Sequence, residues 1–87
     1  MTGENKIENI RDMVESIAKN LVDKPKLVRV VLVQGEKSTI IEVHVDKSDI
    51  GKLIGKAGAT ATAFRRIVSS SSVKTNTRVL LEIADQK

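Results

Sequence analysis

Ile7, Ile10, Val14, Ile17 and Leu21 recur at steps of three and four residues. That spacing draws one apolar stripe along an amphipathic helix of about four turns. Glu4, Glu8 and Asp12 crowd its first half, where the helix dipole favours anions. Asp23-Lys24-Pro25 closes it, because proline drives its predecessor out of helical geometry. The period then changes. Leu27 to Val33 (LVRVVLV) is β-branched and too short for a helix, so it predicts a strand. A turn at Gln34-Gly35-Glu36-Lys37 leads into Ser38 to Val45, which alternates strictly. Thr39, Ile41, Val43 and Val45 share one face, and Ser38, Ile40, Glu42 and His44 share the other. The pair predicts a hairpin with one buried face.

Asp46-Lys47-Ser48 supplies turn and cap chemistry for a short helix from Asp49 to about Ile54. A second helix follows. Ala57, Ala61, Phe64 and Val68 share its inner face with Ile67 beside them, and Thr62, Arg65, Arg66 and Ser69 lie opposite. Ser69 to Ser72 should end it, since serine competes for backbone hydrogen bonds. Val73 to Asn76 reads as a polar loop. Arg78 to Ala84 alternates again with Val79, Leu81 and Ile83 inward, a third strand. The order is α-β-β-α-α-β. The predicted class is α+β, a three-stranded mixed sheet with helices packed on one face. The last two strands, joined by a helical crossover, should be parallel.

Size and composition narrow the possibilities. At 87 residues, with 40% hydrophobic and 30% charged positions, the chain is one globular domain, its core thin because so small a domain buries only about 60% of its unfolded surface. It is expected to span 1–87, with a core over 7–84 and flexible ends at 1–5 and 85–87. There is no cysteine, which excludes disulfides and thiolate metal sites. The opening MTGENKIENI lacks the apolar stretch of a signal peptide, and no apolar run approaches the ~20 residues of a membrane span. A cytoplasmic protein without membrane partners is the default expectation.

Charge is unevenly placed. Residues 1–49 hold eight Lys/Arg against nine Asp/Glu, net −1, whereas residues 50–87 hold seven against two, net +5. From Ile50 to Leu81 the chain carries Lys52, Lys56, Arg65, Arg66, Lys74 and Arg78 and no acid. A one-signed segment is the footprint of a polyanion partner. Inside it lies GKLIGKAG, residues 51–58, with three of the chain's five glycines. Gly55-Lys56-Ala57-Gly58 is the whole connection between two short helices. So tight a turn needs positive φ, which glycine adopts freely. It also sets bare backbone and the lysine beside the unpaired N–H groups that open the second helix, a site for phosphate.

Ile54-Gly55-Lys56-Ala57-Gly58 resembles the GXXG signature of KH domains, nucleic-acid modules whose loop clamps about four nucleotides. A helix and strand ahead of the β-α-α-β core resemble the type II arrangement. The likeness runs from about Glu8 to Ile83. Leu21-Val22-Asp23-Lys24-Pro25, Gly51-Lys52-Leu53-Ile54-Gly55-Lys56 and Arg78-Val79-Leu80-Leu81-Glu82-Ile83 are similar to the small single-KH RNA-binding proteins of bacteria, the KhpA (YlqC-like) family. Members often carry a glutamine before the second loop glycine and a basic residue after it. Here those positions are Ala57 and Ala59.

The resemblance implies a non-enzymatic protein that binds single-stranded RNA, a low-specificity RNA chaperone or post-transcriptional regulator linked to cell division and envelope growth. It implies homodimers and pairing with a larger KH-containing protein (KhpB, or Jag/EloR-like), and no cofactor. The RNA-binding set carried onto this chain is Lys52, Ile54, Gly55, Lys56, Ala57, Gly58, Ala59, Thr62 and Arg65. The glycines admit the ribose-phosphate chain, Lys52, Lys56 and Arg65 attract it, and Ile50, Leu53 and Ile54 wall an apolar groove for bases, with some of the three belonging to the core. A face of small residues, Ala57, Ala61 and Ala63, is a candidate surface for self-association; equally, it fits the helix tightly onto its own sheet.

Rival readings find less in the residues. A Walker A loop needs four residues between its glycines and Ser or Thr after the lysine, where Ala57 stands. His44 is the sole histidine, on an outward strand face, which leaves a catalytic dyad or metal cluster little to build with. A DNA-binding helix-turn-helix would use Thr62, Arg65, Arg66 and Ser69 as its reading face. A stacking sheet of the RNA-recognition-motif type needs aromatics, and Phe64 is the only one. A protein-interaction module without nucleic acid would keep its partner after loss of the loop glycines.

Overall fold

The computed structural model describes residues 3–72 and 77–85. The long amphipathic helix, α1, runs Gly3–Leu21, reaching back beyond the start of its apolar stripe. It buries Ile7, Ile10, Val14 and Ala18, one side chain per turn, as a 3.6-residue period dictates. Leu21, the last residue of the predicted stripe, is exposed, and Val22 is buried in its place.

The first strand begins two residues later than the sequence pattern suggests. Pro25–Leu27 is a single 3-10 turn, closed by Leu27 N–H to the Lys24 carbonyl (3.0 Å) and Val28 N–H to the Pro25 carbonyl (3.2 Å). Proline's fixed φ suits the first position of such a turn, and this outweighs the β-propensity of Leu27. Strand β1 is Arg29–Gln34 and β2 is Ser38–Val45. They pair antiparallel, with Val30 opposite Val43 and Leu32 opposite Ile41. The turn between them is closed by Gly35 N–H to the Ser38 carbonyl at 2.7 Å. Along β2 the alternation is as its sequence pattern demands: Thr39, Ile41, Val43 and Val45 are buried and their neighbours are half-buried.

A 3-10 turn, Lys47–Asp49, opens directly into α2, Ile50–Ile54. The Asp46 carboxylate caps that turn by accepting the Ser48 N–H (3.0 Å) and hydroxyl. Helix α3 is Ala59–Ser72 and strand β3 is Arg78–Asp85. Helix α3 ends at Ser72, at the close of the serine run expected to finish it, with Phe64 and Val68 anchoring it in the core. The loop expected at Val73–Asn76 lies outside the described residues. Strand β3 pairs parallel with β2, Ile41 beside Leu81 and Val43 beside Ile83, and the sheet order is β1-β2-β3.

The inward faces of the strands, α1, Leu53 of α2, and Phe64 and Val68 of α3 form one apolar cluster. The helices therefore cover one face of a three-stranded mixed sheet. This is the expected α+β arrangement in the order α-β-β-α-α-β. Val31, Val33 and Leu80 are exposed on the other face, with Val33, Ile40 and Leu80 in one register row. Among the described residues no helix is long and apolar enough to cross a membrane, and no three His, Asp or Glu side chains group as a metal site.

Candidate nucleic-acid interface

The connection between α2 and α3 is built from three departures from ordinary helix within four residues. Gly55 has φ 76° and ψ 174°, Ala57 has φ 54° and ψ 27°, and Gly58 has φ 75°. The Gly55 N–H donates to the Gly51 carbonyl at 2.9 Å, ending α2. The Gly58 N–H donates back to the Gly55 carbonyl at 3.1 Å, which closes the loop on itself.

The two glycines are required for different reasons. A Cβ at Gly55 would stand 2.2 Å from Thr60 Oγ1 and 2.9 Å from the Thr60 backbone nitrogen, and the φ/ψ pair lies in a region essentially reserved for glycine. A Cβ at Gly58 would meet nothing within 4 Å. There only the positive φ selects glycine, and the open space beside it is where a ligand backbone can approach.

Ala57 therefore does not belong to α3. It occupies the left-handed region, which costs a non-glycine residue about 1–2 kcal/mol, and its methyl group is exposed. Ala61 is buried against its own domain at 5% exposure, and Ala63 is exposed. The three alanines do not make one face. Of the two readings given them, Ala61 follows the internal one, a small side chain that lets α3 sit close to the rest of the core.

The remaining predicted residues divide. Lys56 projects from the loop and is exposed, as are Ala59, Thr62 and Arg65. Ile54 is 40% exposed at the end of α2 and available to a ligand, whereas Leu53 is fully buried in the core. Ile50 is half-buried and packs on the core cluster. The groove wall expected from Ile50, Leu53 and Ile54 is thus reduced chiefly to Ile54.

Among the described residues, Lys52 alone of the predicted cations is held in ion pairs. Its Nζ lies 3.1 Å from Asp23 Oδ2 and 3.4 Å from Asp49 Oδ1. Hydrogen bonding to Asp23, then that carboxylate's charge, raises the lysine above its ordinary pKa, with Asp49 adding to both effects. Among the described residues no acidic side chain pairs with Lys56, Arg65 or Arg66.

Two features escaped the sequence pattern. The first is a groove of about 390 Å³ between α3 and β3, lined by Thr62, Arg65, Arg66, Ser69, Val79, Leu80 and Leu81. The polar face of α3 borders this groove instead of standing free, which argues against its use as a helix-turn-helix reading face. A wider depression at the far end of β3 is lined by Lys47, Ile50, Ile83 and Ala84. The alternation of β3 predicted which residues turn inward, but not that its unpaired edge would border grooves.

The second is Asp49. Its carboxylate is fully buried and accepts the backbone N–H groups of Asp23 (3.2 Å) and Lys24 (3.0 Å). Burial pushes this carboxyl up, but the two N–H donors and Lys52 outweigh it and leave it below the ordinary 3.8. Asp46 is also lowered, chiefly by the Ser48 hydroxyl and N–H.

A carboxylate whose pKa is lower folded than unfolded contributes stability that is present above its unfolded value. That contribution disappears as pH falls through the folded value. The urea midpoint should therefore drop as the pH is taken below about 3.8. Asp49→Asn should flatten that acid limb; an unchanged limb in the variant would show that Asp49 is not part of it.

His44 is half-buried, with Nε2 3.1 Å from Glu42 Oε1 on the outer sheet face. It lies on a strand pairing row that it shares with Arg29 and Ala84.

Comparison with known proteins identifies the family. The model of the KhpA/KhpB KH domain matches residues 11–83. The chain belongs to the KhpA/KhpB family of KH domains. It is 47% identical over 74 residues to the RNA-binding protein KhpA of Borreliella burgdorferi, covering 85% of this chain and 90% of that one. With the KhpA of Clostridium perfringens the identity is 47% over 74 residues, covering 85% and 99%. With that of Aquifex aeolicus it is 45% over 76 residues, covering 87% and 96%. No solved structure gives a significant match. The matched span takes in α2, the Gly55 to Gly58 connection and α3.

Proposed function

We propose that this KH domain is a non-enzymatic RNA-binding module that holds single-stranded RNA by its phosphate backbone. The observation that carries the reading is the loop itself: two positive-φ glycines and a left-handed alanine present bare backbone around the exposed Lys56, with Arg65 and Arg66 exposed on α3. The names of the relatives, each an RNA-binding protein KhpA, support it. Gly55, Gly58, Ala57 and Ala59 form the surface that the sugar-phosphate chain crosses. Lys56 and Arg65 supply attraction, with Arg66 added to the predicted set. Ile54, Thr62 and the α3–β3 groove receive bases.

Specificity should be low. Stacking of bases on aromatic side chains is the usual source of single-strand affinity, and the sole aromatic, Phe64, is 2% exposed in the core. The role that fits is an RNA chaperone or post-transcriptional regulator, with the family's connection to cell division and envelope growth. Homodimers and a larger KH partner belong to the same proposal. On α3 the exposed large apolar residue available for such contacts is Ile67.

Fluorescence anisotropy with a labelled oligouridylate at several salt concentrations tests the reading. Three cations on a single strand, at roughly −0.7 each, predict a log-log slope of about −2. Absence of binding, or a preference for duplex DNA, would overturn it.

A further inference from the structure

Helix α2 is the stalk of the RNA-binding loop, and by itself it is a poor one. It has five residues, Ile50–Ile54, far fewer than a helix needs to persist on local hydrogen bonds. Its direction, and so the position of Gly55 to Gly58, must be set by what it is tied to. One tie is apolar: Leu53 is fully buried in the core. The other is ionic and lies at the start of the helix. Asp49 spends its carboxylate on no N–H of its own helix. It reaches instead across the chain to the backbone amides of Asp23 and Lys24, where α1 has ended and the chain turns toward β1. Lys52, one turn further along, folds back onto the same point and closes the bridge to Asp23.

We propose that Asp49 is a positioning residue for the RNA-binding loop, and that Lys52 belongs to this brace and not to the RNA contacts. The proposal rests on the RNA-binding reading above and deepens it. Two carboxylates and one ammonium give the brace a net charge of −1, so it adds nothing to the attraction of a polyanion. Its contribution is geometric. The pairing fixes where α2 points, and the α2 terminus fixes where the bare backbone of Gly55 is offered to a phosphate. The sequence places Lys52 and Lys56 four residues apart in the same acid-free segment, yet the fold gives them opposite roles.

The two views predict opposite signs for Asp49 and different salt slopes for Lys52. If the charges acted directly on RNA, Asp49→Asn would remove a negative charge near the site and tighten binding, and Lys52→Gln would cost one phosphate contact. As a brace, both variants bind more weakly with the number of phosphate contacts unchanged. The test is a set of salt titrations by anisotropy with labelled oligouridylate, using wild type, K56Q, K52Q, D49N and D23N, each checked for folding by far-UV circular dichroism. K56Q should lower the magnitude of the log-log slope by about 0.7. K52Q and D49N should bind several-fold more weakly with the wild-type slope.

Should D49N fail to fold, D23N carries the same arm, because the Asp23 side chain is 75% exposed. Its loss should also weaken binding in spite of the charge removed. A drop of about 0.7 in slope for K52Q overturns the proposal by making Lys52 a phosphate contact. Binding by D49N or D23N at or above the wild-type level overturns it in favour of plain electrostatics. Wild-type protein that binds no RNA at any salt overturns the RNA reading, and the positioning role with it. The first two outcomes leave RNA binding standing.

Discussion

Replacing Lys56 and Ala57 together with aspartate should weaken single-stranded RNA binding by about 100-fold while leaving the fold intact. The exchange changes the local charge by three units at the tip of the loop. At roughly 1 kcal/mol for each charge facing a phosphate in solvent, that is about 3 kcal/mol, or two orders of magnitude. The fold should tolerate it for two reasons. Both side chains are exposed, where substitutions usually shift stability by less than about 0.5 kcal/mol. Aspartate is also among the few residues that accept the left-handed conformation of position 57. The checks are an anisotropy titration and a thermal melt of the same protein. A variant that melts like wild type and binds like wild type would remove the loop from the mechanism.

The second large effect is on stability, and it separates the two loop glycines. Gly55→Ala should destabilise the domain by about 3 kcal/mol, combining a glycine-only backbone conformation at roughly 1–3 kcal/mol with the enforced clash against Thr60. The clash is not relieved by a rotamer change, because the Thr60 backbone nitrogen is itself only 2.9 Å from the new Cβ. Gly58→Ala has open space around the added methyl and should cost only the left-handed penalty, about 1–2 kcal/mol. In a domain of this size, each kcal/mol corresponds to roughly 4–8 °C, so the two melting curves should be well resolved. Equal melting temperatures for the two variants would contradict the packing of Thr60 against Gly55. Loss of partner or RNA binding in a Gly55 variant is therefore a poor test of mechanism, since it confounds the site with the fold. The Lys56 and Ala57 exchange is the cleaner probe.

Much of this architecture is local in origin, and the local part was legible. The period of two along Ser38 to Val45 determines which side of β2 is buried, because a strand has only two faces. Asp46 and Ser48 make their cap from neighbouring residues, so their role shows in the residue order. Gly55 and Gly58 around Lys56 announce a tight turn with positive charge, since only glycine enters such backbone conformations cheaply. Phe64 and Val68 fall four residues apart on a helix and meet the core together. The family resemblance rested on these same features.

What remained for the tertiary structure was every decision taken between distant residues. Lys52 and Lys56 look equivalent in the chain, and only the return of Asp23 to the start of α2 tells them apart. Asp49 resembles an ordinary helix-start aspartate until the amides of residues 23 and 24 arrive beside it from 25 residues away. Ala57, Ala61 and Ala63 form a small-residue pattern on paper. A left-handed backbone at the first, burial of the second and exposure of the third divide them, because the helix begins only at Ala59. The groove between α3 and β3 exists because a parallel crossover lays one element along the other. Sequence thus determined the elements and the loop chemistry, through periodicity and backbone preference. The fold decided the long-range pairing of Lys52 with Asp23, because that ion pair depends on a distance in space between residues far apart in the chain.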